Sequence, residues 1–96
     1  MGRLERAHEV GRRLTPEQAF GLAVRRTRLE RGLSQQALAD KSGYHRTYIG
    51  LLEHGQKSPS LRTIFNIAAT LQVNASEIVK DVEQLVERSE RKTVKS

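Results

Sequence analysis

The chain has 96 residues, room for one small domain, and no cysteine, which excludes disulfides and thiolate metal sites. Seventeen basic residues against eleven acidic ones give a net charge of +6 and a pI near 10.3, a balance that favours a polyanionic partner such as nucleic acid. Hydrophobic content is a lean 36% with no Trp, no apolar run approaches the ~18 residues of a membrane span, and the charged start lacks a secretory h-region, so the expectation is a small cytoplasmic helical domain rather than a pocketed enzyme.

Residues 1–14 place Leu4, Ala7, Val10 and Leu14 at roughly helical spacing, but Gly11 interrupts them. A basic arm, a frayed helix and a flexible leader all fit this segment. A clear helix start follows, with Thr15 as cap, Pro16 at the first helical position and Gln18 completing a capping box. Phe20, Val24 and Thr27 then share one face, and Gly32 marks a stop, which puts the first helix at about 16–31. Ser34 caps a second helix of about Gln35 to Lys41, ended by Gly43. A third runs over about 45–54 and is closed by Gly55. After the loop Gln56-Lys57-Ser58-Pro59, Ser60 caps a fourth helix through Leu61, Ile64, Ile67, Ala68 and Leu71. Asn74 and Glu77 open a fifth, whose apolar stripe is Ile78, Val79, Val82, Leu85 and Val86.

No stretch alternates with period two long enough to argue a strand, and no internal repeat or linker interrupts the chain. The polar composition of residues 88–96 predicts a disordered tail. The organisation expected is therefore an arm or leader at 1–14, an all-α five-helix domain at 15–87, and a tail at 88–96.

Helices two and three carry a specific constellation. Two helices crossing after a tight turn need a small residue at their contact, supplied by Ala39, and a turn residue with positive φ, supplied by Gly43. The second helix of the pair needs inward anchors, supplied by Ile49 and Leu52. The stretch "GLSQQALADKSGYHRTYIGLLEHGQKSPSLRTI" resembles the helix-turn-helix domains of the phage repressor and Cro class, the Xre type. Its "HRTYI..LE.G" wording is most similar to the controller proteins of restriction–modification systems. The resemblance covers about Phe20 to Val79 and implies a five-helix bundle that binds operator DNA as a two-fold symmetric dimer.

A recognition helix enters the major groove with its first turn facing base edges, so donors should cluster early and apolar anchors late. Arg46 can donate two hydrogen bonds to guanine O6 and N7, and Thr47 can bond a base or meet a thymine methyl. His45 and Tyr48 can reach a base edge or a phosphate. Gln35, at the open N–H end of the second helix, suits a backbone phosphate, and Lys57 and Ser58 in the loop after the third helix are similar candidates. Arg25, Arg26 and Arg31 read as a solvated basic face. The resemblance implies that Arg28 and Glu53 pair in a partly buried salt bridge with a structural role. Two positions depart from the family's pattern: Gly50 stands where a small polar residue is usual, and Leu51 where relatives carry a polar base reader.

Val82, Leu85 and Val86 on the long fifth helix are the candidate dimerisation residues, with a core-only role as the alternative. His8, His45 and His54 are not spaced as a metal site, and no catalytic arrangement stands out, so neither a cofactor nor an enzyme is expected. The reading is a homodimeric, sequence-specific transcriptional regulator acting on double-stranded DNA. The alternative is an antitoxin or protein-interaction adaptor with autoregulatory DNA binding.

Overall fold

The computed structural model describes residues 13–95, so all but Arg13 and Leu14 of the expected N-terminal segment lies outside the described residues. Five helices follow in order: α1 Pro16–Glu30, α2 Gln35–Ser42, α3 Arg46–Glu53, α4 Leu61–Leu71 and α5 Ala75–Lys95. Among the described residues there is no strand, and the fold is all-α.

The helix starts follow from their caps. Thr15 and Gln18 form a reciprocal capping box, Ser34 accepts from the Ala37 N–H, and Ser60 accepts from the Thr63 N–H. At the head of α5 the Asn74 N–H donates to Glu77 at 2.8 Å. The turn between α2 and α3 needs the left-handed conformation that Gly43 adopts, with φ of 82°. Helix α3 is one residue shorter at each end than the expected 45–54, because His45 and His54 are its flanking caps.

Apolar residues from all five helices meet in one core: Phe20 and Val24, Leu38 and Ala39, Ile49 and Leu52, Ile67 and Leu71, and Ile78. Helix α1 crosses behind α3 so closely that a Cβ on Gly21 would stand 2.4 Å from the carbonyl oxygens of Leu52 and Glu53. That approach seats the C-terminal end of α3 against the body of the domain.

The polar composition of 88–96 predicts a tail, but α5 continues without a break to Lys95. As far as Ser89 it is held by a contact from the segment before α1. The Leu14 N–H donates to Ser89 Oγ at 3.1 Å, and Ser89, only 8% exposed, donates onward to the Val86 carbonyl. The segment leading into α1 thus crosses α5 beyond its apolar stripe and packs against its later turns.

Candidate nucleic-acid interface

Helix α3 has a buried root. Ile49 and Leu52 are fully buried, and Glu53 receives Arg28 from α1 in a two-pronged contact, Nε to Oε2 at 2.6 Å and Nη2 to Oε1 at 3.0 Å. The pair is 8% and 2% exposed, so each charge has lost its water and is satisfied by the other. Arg28 Nη1 also donates to the Leu33 carbonyl at 2.8 Å, which ties in the loop before α2. Gln35, the first residue of α2, donates its amide to Glu53 Oε1 at 3.0 Å. One carboxylate therefore joins three helices, and Gln35 keeps a single amide hydrogen for a further acceptor.

The other end of α3 is open. His45 occupies the cap position but makes no side-chain capping bond, so the first backbone N–H groups of the helix have no internal acceptor. His45, Arg46 and Thr47 are all exposed, and their side chains make no hydrogen bond or ion pair to any described residue. Lys57 and Ser58 are exposed in the loop that follows. A cation, a hydroxyl and uncapped helix N–H groups converge on a surface able to meet anionic oxygens and base edges.

Tyr48 behaves differently from its neighbours. It is half-buried, its ring lies 5.1 Å from that of Tyr44, and its hydroxyl sits 3.4 Å from Thr63 Oγ1 on α4. Tyr44, Ser60, Thr63 and Asn66 complete a polar cluster beside it that sequence reasoning missed. No local pattern announces such a cluster, since its members come from a turn and two helices.

Val82 and Leu85, expected at a dimer contact, pack partly buried against the domain's own core, and Val86 is half-buried. More exposed apolar side chains stand elsewhere: Leu61 (71%) and Phe65 (59%) one turn apart on α4, Leu29 (53%) and Leu22 (43%) on α1, and Val79 (43%) on α5. An apolar cavity of about 210 Å³ between α1, the loop before α4, α4 and α5 is lined in part by Pro16, Phe20, Pro59, Ile64, Val79 and Val82. The signal was present in the sequence, because Leu61 and Phe65 fall off the face defined by Ile67 and Leu71. Among the described residues no group of side chains is arranged to hold a metal, and no helix is long and apolar enough to cross a membrane.

A small residue at a two-helix contact, a left-handed glycine turn, a buried root and an open polar tip define a helix-turn-helix DNA-binding fold. The chain belongs to the family described as "Helix-turn-helix", whose model matches residues 24–78, and the domain is of the Xre type. It is 38% identical over 56 residues to control protein C.SmaI of Serratia marcescens, covering 58% of this chain and 67% of that one. Among solved structures, the restriction–modification controller protein C.AhdI from Aeromonas hydrophila is 39% identical, with a TM-score of 0.62 over 64% of this chain and 92% of that one. The clp gene regulator ClgR from Corynebacterium glutamicum shares the fold, with a TM-score of 0.78 at 19% identity over 88% of this chain and 90% of its own.

Proposed function

We propose that the chain is a sequence-specific transcriptional regulator that binds a near-palindromic operator as a homodimer, in the manner of a controller protein. The observation that carries this reading is the polarity of α3: Arg46 and Thr47 stand exposed at its first turn with no partner among the described residues, while Ile49, Leu52 and Glu53 anchor its far end. Arg46 reads a guanine and Thr47 an adjacent base edge. His45, Lys57, Ser58 and the remaining amide hydrogen of Gln35 contact phosphates, which set register but carry no sequence information. The Tyr48 hydroxyl, turned toward α4, lies at the border of this surface and meets the backbone rather than a base.

Selection of binding sites from a random duplex pool tests the reading. The expected result is an enriched site with two-fold symmetry and half-sites about one helical turn apart. Substituting Arg46→Ala should relax the preference at one position per half-site by roughly 1–3 kcal/mol. Enrichment of no sequence, with affinity set by salt alone, would sink the proposal.

A further inference from the structure

The three exposed residues at the tip of α3, His45, Arg46 and Thr47, lie between two half-buried tyrosines. Tyr44 precedes Arg46 by two positions, Tyr48 follows it by two, and both tyrosine hydroxyls converge on the same atom, Thr63 Oγ1 of α4. We infer that Thr63 is a positioning residue for DNA recognition, fixing the base-reading turn of α3 relative to α4 through these two tyrosines. The inference rests on the reading of α3 as the recognition helix.

The hydrogen inventory fixes the direction of each bond. Asn66 Nδ2 donates to the Tyr44 hydroxyl at 3.1 Å, and that hydroxyl donates to Thr63 Oγ1 at 3.2 Å. Ser60 Oγ accepts from the Thr63 N–H at 3.0 Å and donates its own hydrogen to Thr63 Oγ1 at 3.0 Å. A threonine hydroxyl has two lone pairs and one hydrogen. Tyr44 and Ser60 occupy both lone pairs, so the hydrogen of Thr63 is directed to Tyr48 at 3.4 Å. Thr63 is 5% exposed, so its hydroxyl, where the bonds meet, is shielded from water, while Tyr44 and Tyr48 are half-buried and Ser60 and Asn66 lie at the surface. A polar cluster centred on a buried hydroxyl specifies geometry more than it adds stability.

Geometry at this point matters because a bidentate contact to a base tolerates little displacement. A tip free to tilt about its buried root would keep its charge near the phosphates and lose its register with the bases. Loss of Thr63 should therefore lower discrimination while leaving general DNA affinity in place.

The test compares the wild type with Thr63→Val, Thr63→Ser, Tyr44→Phe and Arg46→Ala by thermal melting and by titration of two duplexes at one salt concentration. One duplex carries the selected operator and the other an unrelated sequence of equal length. Thr63→Val and Tyr44→Phe are expected to lower the ratio of operator to unrelated affinity roughly tenfold, the scale of one base contact, with the unrelated affinity unchanged and Thr63→Ser near the wild type. A Thr63→Val protein that melts earlier but keeps the wild-type ratio would make the residue merely structural and overturn the inference. If Thr63→Val does not fold, an unchanged ratio in Tyr44→Phe overturns it equally. A wild type that binds both duplexes alike removes the underlying reading as well, whereas a ratio lost in Arg46→Ala and kept in the other variants removes this inference alone.

Discussion

Gly21 in α1 and Gly50 in α3 both lie inside helices, where glycine destabilises by about 1 kcal/mol relative to alanine. Their surroundings give the two opposite meanings. At Gly21 a methyl group would meet the backbone oxygens of Leu52 and Glu53 at 2.4 Å, atoms that cannot move without unseating α3. Gly21→Ala is therefore expected to destabilise by at least the roughly 1–3 kcal/mol of an overpacked core, read as a lower melting temperature. At Gly50 a methyl group meets nothing within 4 Å. Gly50→Ala should raise the melting temperature by about 4–8 °C, the shift that ~1 kcal/mol brings in a domain of this size. Among the described residues no packing calls for glycine at 50; if close approach of a DNA backbone is the reason for it, the same variant should bind operator more weakly. A Gly50→Ala protein with unchanged operator affinity would remove that reason.

Four of the five helix starts were legible because they carry their own chemistry: Thr15 with Gln18, Ser34, Ser60, and Asn74 with Glu77 all act within three residues of sequence. Ends set by distant contacts were not. The bond that holds α5 at Ser89 comes from Leu14, 75 residues away, and no short window along the chain contains both. The Thr63 cluster was illegible for the same reason, whereas the exposed tip of α3 was legible because its donors are consecutive. One helix end broke the usual rule outright. Gln72 closes α4 in the left-handed conformation, φ 63° and ψ 40°, a place where a side chain carries a penalty that glycine avoids. Its backbone N–H still reaches the Ala68 and Ala69 carbonyls, and its own carbonyl accepts from Arg31 at 3.2 Å. None of these bonds uses the side chain, so Gln72→Gly keeps all of them. The variant is expected to gain about 1 kcal/mol, measured as an upward shift of the denaturant midpoint with an unchanged slope. A lower midpoint would mean that the flexibility glycine adds to the unfolded chain outweighs the relieved strain.

Among the described residues, the surface carries a donor-rich tip on α3 and exposed apolar side chains on α4 and α5 as well as on α1. Leu61 and Phe65 project from α4, and Val79 of α5 borders an apolar cavity that Ile64, Phe20 and Pro16 also line. A two-fold dimer requires a patch that is complementary to itself, and a knob and a hole on each copy satisfy this when two copies meet face to face. Thr63 also belongs to α4, so a contact between two copies on this face would share that helix with the Thr63 cluster. Phe65→Asp tests this arrangement. Phe65 is 59% exposed in the single chain, so its replacement removes no core contact and the melting profile should keep its cooperative shape. Two like charges brought to a desolvated face disfavour association, so sedimentation at a fixed protein concentration should give the monomer mass where the wild type gives twice that mass. Binding to a single half-site should be retained, because the tip of α3 is intact. Binding to the full operator should fall toward the half-site affinity, since the second copy no longer arrives joined to the first. If Phe65→Asp sediments with the wild type at the dimer mass, the contact between copies lies on another face, and the half-buried Val82, Leu85 and Val86 become the next positions to substitute.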